Sequence, residues 1–249
     1  MPTLLFIVPA RQEAYPPWTM GHRKHPGGRI AALIFDLDGT LVDSGRDIAL
    51  AANHGRAALG RPPLPEPLLI SFVGDGVEML VRRALAHDGP EPSEEEVRTA
   101  LAALRDHYGR HCTDNTRPYP GVLEVLHHFR RLPLHVATNK PREYTERILR
   151  ELSLAGAFRR VVAADDVTQR KPDPEPLRRC LEGLDVAPSA VAVVGDHPND
   201  VLAARALGAV SVGAAYGLVP RERLLAAGPD HVIEKPLDLR ELFPSRLTL

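Results

Sequence analysis

Lysine, cysteine and aromatic residues are scarce in this 249-residue sequence, and its charges nearly cancel. The two cysteines, Cys112 and Cys180, stand alone, with no paired spacing. That excludes a disulfide framework or a thiolate metal site, and it fits two buried thiols in a reducing, cytoplasmic setting. A formal net charge of −1 removes the field-level argument for a nucleic acid or an anionic membrane as partner. No apolar run approaches the ~20 residues a helix needs to cross a bilayer. The apolar opening from Met1 to Pro9 is short and lacks a basic leader, so a signal peptide is not expected. Oligomeric state is not legible at this level.

The lysine shortage is informative. Of 31 basic residues only Lys24, Lys140, Lys171 and Lys235 are lysines, so arginine does the ordinary surface work. A compact, strongly hydrated ammonium differs physically from a planar guanidinium. A lysine retained in such a chain is therefore a candidate for chemistry. Lys24 and Lys235 read as ordinary surface residues.

Residues 1–28 carry no helical or strand period, and Pro16, Pro17, Gly21, Pro26 and Gly27 punctuate them. An extension without regular structure is expected there. Met20 is an alternative translation start, which N-terminal sequencing of the native protein would test. From residue 29 the texture changes. Short apolar runs at 30–35, 134–138, 161–164, 191–194 and 209–212 suit strands buried on both faces. Amphipathic segments at 122–131, 143–152, 175–184 and 200–207 alternate with them. This pattern predicts an α/β fold, a doubly wound, Rossmann-like parallel sheet. Residues 44–118 break the alternation and read as helices only, over 46–59, 66–86 and 93–111. The expected organisation is a core of 29–43 plus 119–249, with an inserted all-helical cap over 44–118.

Polar clusters follow four of the apolar runs, and in an open parallel sheet ligands bind beyond the carboxyl ends of strands. The clusters are Asp36-Leu37-Asp38-Gly39-Thr40, Thr138-Asn139-Lys140, Gln169-Arg170-Lys171-Pro172, and Gly195 to Asp200. Each is ordinary alone: Asp-x-Asp-Gly occurs in turns, Thr-Asn caps helices, Gly-Asp makes turns, and a lysine before proline is usually solvated. Converging at strand ends, they place Asp36, Asp38, Asp196 and Asp200 around one point. Such a set of carboxylates calls for a cation, and hard oxygen ligands suit Mg²⁺. Thr138, Asn139 and Lys171 supply the donors and charge that hold a phosphoryl group.

The run from Asp36 to Ser44, with Thr138-Asn139, Lys171-Pro172 and Gly195-Asp196…Asp200, resembles the motif set of the haloacid-dehalogenase-like hydrolase superfamily, from about residue 30 to 242. Within it the likeness is greatest to phosphoglycolate phosphatases. The stretches from Phe72 to Leu85, Tyr119 to Val122, Val136 to Pro141 and Gln169 to Pro176 carry that narrower resemblance.

The resemblance implies that Asp36 attacks phosphorus to form an aspartyl-phosphate. Asp38 then serves first as acid to the leaving alkoxide and later as base for water. It implies Mg²⁺ on the Asp36 carboxylate, the Asp38 backbone carbonyl and Asp196, with Asp200 bound to the ion or just behind it. Thr138, Asn139 and Lys171 hold phosphoryl oxygens, with backbone donors from Gly39 and Thr40. Asp38 is expected to take up a proton because another negative charge lies near it. An acid at position 38 favours phosphate over halide chemistry. Gly74 and Gly76 are expected in a substrate-facing loop of the cap, and Arg82 and Arg83 are weighed as contacts for an anionic leaving group. Lys140 reads as a loop-capping residue and His197 as a neutral loop histidine, both outside the catalytic set. The expected activity is hydrolysis of a small phosphorylated metabolite, 2-phosphoglycolate foremost. A sugar phosphomutase, a pyrophosphatase and a non-catalytic relative are the alternatives.

Overall fold

The computed structural model of the protein describes residues 30–244. The extension expected over 1–28, Lys24 included, lies outside the described residues. In chain order the strands are β1 (Ala32–Phe35), β2 (Val42–Asp43), β3 (Arg117–Pro118), β4 (Leu134–Ala137), β5 (Arg160–Val162), β6 (Val191–Gly195), β7 (Val210–Ala214) and β8 (His231–Ile233). Six of them form one sheet in the order β5-β4-β1-β6-β7-β8, every pair parallel. The chain winds outward to one side through β4 and β5, and to the other through β6, β7 and β8. Its direction of winding switches beside β1, where a crevice opens at the carboxyl ends of the strands.

Alternation of side chains along the strands divides the core in two. Leu33 and Phe35 of β1 share one apolar cluster with Val136, Ala192 and Val194. Ala32 and Ile34 share the other with Ala137, Val191 and Val193. Residues Val122, Val125, Ile148 and Leu149 belong to the first cluster, and Leu177, Cys180, Ala203 and Ala204 to the second. A sheet sandwiched this way must read as continuous apolar runs, which is why these strands were legible. Strand β8 was not expected. It is three residues long, with His231 half-buried and Val232 exposed at the sheet edge, too short to show a period.

Four helices lie between β2 and β3: α1 (Gly45–Ala57), α2 (Glu66–Ile70), α3 (Val77–Ala86) and α4 (Glu94–His111). The next four are α5 (Val122–His128), α6 (Arg142–Glu151), α7 (Glu175–Leu181) and α8 (Pro198–Leu207). Ser93 starts α4 with a reciprocal cap to Glu96. Strands β2 and β3 pair antiparallel, Val42 with Pro118 and Asp43 with Arg117, so the chain leaves and returns side by side. Asp47, 2% exposed, holds this neck closed. Its carboxylate accepts from the amides of Asn115 (2.9 Å) and Thr116 (2.8 Å), the Asn115 Nδ2 (2.7 Å) and the Thr116 hydroxyl (2.7 Å).

The helix expected over 66–86 is two helices broken at 71–76. Gly74 and Gly76 take φ of +120° and +93°, a backbone that helix propagation forbids and that glycine alone adopts freely. The break swings the loop of Val73 to Gly76 over the strand ends.

Candidate active site

Asp36 stands at the end of β1, its amide donating to Val194 O at 2.9 Å and so continuing the ladder to β6. Asp196 follows β6 and Thr138 follows β4, the two strands that flank β1. Neighbouring strands in register therefore put these three residues at one level of the crevice. One oxygen from each of Asp36, Asp196 and Asp200 lies within 4.8 Å of the others. Lys171 enters from the loop before α7, its Nζ 3.0 Å from Asp36 Oδ1 and 2.5 Å from Asp200 Oδ1.

The cluster is under electrostatic tension. Burial, joined by the charges of Asp36 and Asp200, raises Asp196 well above the ordinary carboxylate range. Burial also pushes Asp200 up to about 6, with Lys171 pulling the other way and Asp36 adding to the rise. For Lys171 burial works against the charged form, but Asp200 and Asp36 more than offset it and hold the ammonium protonated. Two of the three carboxylates, Asp36 and Asp200, share one ammonium, and Asp196 has no ion pair among the described residues. An all-oxygen donor set with surplus negative charge, two of its members buried, fits a hard divalent ion. Asp196 is aimed by the amides of Leu218 (2.8 Å) and Val219 (3.3 Å), both of which donate to its Oδ2. Gly39 makes room for it: at φ +77°, a Cβ here would fall 2.1 Å from Asp196 Oδ2.

Asp38, two residues from Asp36, is handed to a different lysine. Lys140 Nζ lies 2.9 Å from Asp38 Oδ2 and 3.1 Å from Oδ1, and the Ser44 hydroxyl donates to Oδ1 at 2.5 Å. The charged group bonded to Asp38 is thus an ammonium, not the second negative charge expected from the sequence. Lys140 is 8% exposed, and it is a member of the site, not a loop cap. Both buried lysines of the described chain serve one aspartate of the Asp-x-Asp pair each. The lysine that remains exposed, Lys235, has no part here.

Several other expectations are revised. The amides of Gly39 and Thr40 donate to Val42 O and Leu37 O within the loop, so neither is left for a phosphoryl oxygen. Both side chains of the Thr138-Asn139 pair are in place, but for different work. Thr138 Oγ1 accepts from the Lys140 amide at 3.2 Å, and its own hydrogen has no protein acceptor among the described residues. Asn139 ties loops together, donating to Gly74 O (3.2 Å) and Lys171 O (3.0 Å) and accepting from Lys171 N (3.0 Å). Arg82 pairs with Glu78 and Glu94 at the surface, and Arg83 with Asp75 at 2.7 Å. Neither lines the cavity.

His197 is a neutral histidine as expected, but it is buried. Its Nδ1 accepts from Asn199 N at 3.1 Å and caps α8. Burial holds its pKa down to about 4, so the ring is neutral near pH 7. Gly74 crosses directly above it; a Cβ there would sit 2.2 Å from His197 Cδ2. Asn199 Nδ2 donates to Asp75 Oδ1 at 2.9 Å, latching the 73–76 loop to the core. Over these groups lies a cavity with about 90 Å³ of water-accessible space. Asp36, Asp38, Thr138, Lys140 and Asp196 lie on its polar side, and its opposite wall is apolar, with Ile48, Val77, Leu80 and Leu104.

A family model described as haloacid dehalogenase-like hydrolase matches residues 33–214, which include every group named at this site except the latch to Leu218 and Val219. The chain belongs to that family. Among relatives, a phosphoglycolate phosphatase of Thiobacillus denitrificans is 38% identical over 76% of this chain and 84% of its own. One of Chromobacterium violaceum is 37% identical over 86% of this chain and 96% of its own. Among solved structures, a predicted phosphoglycolate phosphatase from Haemophilus somnus superposes with a TM-score of 0.80 at 28% identity, covering 86% of this hydrolase and 97% of that chain. The hydrolase thus shares its fold with that structure. No helix among its described residues is long and apolar enough to cross a membrane.

Proposed function

We propose that this hydrolase is a Mg²⁺-dependent phosphatase of small phosphate monoesters, with 2-phosphoglycolate as the foremost substrate. The observation that carries the reading is the separation of the two aspartates. Asp36 lies among the acids and Lys171, and Asp38 is held apart by Lys140 and Ser44. One carboxylate is kept as a nucleophile while its neighbour is placed to move a proton.

Asp36, Asp196 and Asp200 would hold the ion, with the Asp38 carbonyl as a fourth donor. The bound ion supplies positive charge that neutralises phosphoryl oxygens facing a carboxylate nucleophile. Asp36 Oδ1 is already engaged by the Leu37 amide (2.7 Å) and Lys171, so the other carboxylate oxygen is the one to attack. It forms a bond to phosphorus as the bond to the ester oxygen breaks, and Asp38, having taken up a proton as the anionic phosphoryl group settled beside it, gives that proton to the departing oxygen. Asp38, now ionised, takes a proton from water. The water oxygen bonds to phosphorus, the Asp36–phosphorus bond breaks, and phosphate leaves. Thr138 donates its hydroxyl hydrogen to a phosphoryl oxygen, and Lys171 offsets charge on it. The helices of 44–118 act as a cap: the Gly74 loop and the apolar wall exclude water around the reacting group.

Small cavity size favours a small leaving group, and the substrate named for the relatives is small. The two free, buried thiols fit a reducing, cytoplasmic setting. A panel of phosphomonoesters, with pyrophosphate and a hexose phosphate included, assayed for phosphate release with and without Mg²⁺, tests the reading. Turnover of 2-phosphoglycolate that is abolished by Asp36→Asn in a folded variant supports it. Isomerisation of the hexose phosphate without phosphate release would overturn it.

A further inference from the structure

Lys140 has one more partner. Its Nζ donates to the Tyr108 hydroxyl at 2.7 Å and sits 4.6 Å from the centre of the same ring. Tyr108 belongs to α4, on the far side of the cavity from the strand ends. It is 4% exposed and packs edge-on against Tyr144 of α6 at 5.1 Å between centroids. The ammonium has three hydrogens, and its partners among the described residues are the two oxygens of Asp38 and the Tyr108 hydroxyl. An ammonium on a four-carbon stem has no preferred direction of its own. It becomes a fixed point only when partners on both sides hold it. Among the described residues the Asp38 side chain is in turn seated by Lys140 and Ser44 alone.

We propose that Lys140 and Tyr108 form a positioning relay that places Asp38 for proton transfer to the leaving group, and that the relay is complete only when α4 lies over the strand ends. Tyr108 is the part supplied by the helical segment, Lys140 the part supplied by the core. Neither touches phosphorus, and both act through Asp38. The relay rests on the role given to Asp38 under the proposed function. It adds that this role depends on a contact crossing from the cap to the core.

The consequence is a selective loss. A leaving group that departs as a strong base needs the proton; one that departs as a stable anion does not. Ethyl phosphate and acetyl phosphate are both small and differ in just this respect. Their kcat/KM values report phosphoryl transfer to Asp36, the step in which the leaving group departs, and exclude the later hydrolysis. Lys140→Met should lower kcat/KM for ethyl phosphate by roughly 100-fold and for acetyl phosphate only a few-fold. Tyr108→Phe keeps the ring and the packing but removes the hydroxyl, and should show the same selectivity at roughly 10-fold. The double variant should be no more selective than Lys140→Met alone, since the two act in series.

Equal losses on the two esters in both variants would make the residues merely structural and overturn the proposal. So would a loss confined to a raised KM for 2-phosphoglycolate, which would make Lys140 an anchor for the substrate carboxylate. Asp38→Asn separates the two levels. If it discriminates between the esters and Lys140→Met does not, the relay alone fails. If Asp38→Asn loses both esters equally, the acid role of Asp38 fails and the relay with it.

Discussion

Replacing Asp196 with asparagine probes the electrostatic tension at the site without touching the nucleophile. In the ion-free protein Asp196 lies within 4.8 Å of oxygens of Asp36 and Asp200. Two ionised carboxylates at that separation repel by roughly 3 to 4 kcal/mol at an effective dielectric constant of ~20. Protonation relieves this, and both Asp196 and Asp200 are shifted toward the protonated form, Asp200 to about 6. A group whose proton affinity is raised on folding stabilises the fold while protonated, and that stability is lost as pH rises through the folded-state value. Ion-free stability should therefore fall from about pH 4 through about pH 6 and beyond, as first Asp200 and then Asp196 is forced to ionise. On the proposed reading Mg²⁺ should reverse the sign, because it would bind the ionised form. At about 100 times its dissociation constant it adds roughly 3 kcal/mol, which for a chain of this size raises Tm by about 5–10 °C.

Scanning fluorimetry with and without Mg²⁺, at about pH 5 and about pH 8, reads this directly. The wild-type shift should be large at the higher pH and small at the lower. Asparagine can still accept the amides of Leu218 and Val219 through its carbonyl, so the Asp196→Asn fold should persist. The variant should be more stable than wild type without the ion at the higher pH, and should show little shift when Mg²⁺ is added. A variant that responds to Mg²⁺ as wild type does, or a wild-type shift that ignores pH, would refute the reasoning.

Asp36→Asn should reduce phosphate release by roughly 10⁴-fold or more, since an amide cannot form the acyl-phosphate bond; residual activity near wild type would exclude Asp36 as nucleophile. Gly74→Ala meets His197 Cδ2 at 2.2 Å and a backbone of φ +120°, so it should lift the loop, cost about 1–3 kcal/mol and lower kcat/KM, read by urea melts and kinetics together. Asp47→Ala leaves the buried amide of Thr116 and the donors of Asn115 without an acceptor. It should destabilise the fold by about 2–4 kcal/mol, with the neck at β2 and β3 becoming more susceptible to proteolysis.

The candidate site was legible because polar side chains that follow buried parallel strands gather at one end of the sheet, and such strands announce themselves as apolar runs. Asp36, Asp38, Thr138, Lys171, Asp196 and Asp200 could each be placed by that rule alone. Tertiary packing decided what each of them touches. The rarity of lysine marked Lys140 as worth attention, yet its local context read as a loop. Its partners, Asp38 and Tyr108, lie 102 and 32 positions away, and no local pattern records such contacts. The same holds for Asn139, whose amide joins the Gly74 and Lys171 loops, and for His197, buried because Gly74 passes over it. Hydrophobic period is a property of neighbouring residues and survives in the sequence. Which ammonium meets which carboxylate depends on how distant loops pack at the end of a sheet, and only the folded chain settles that.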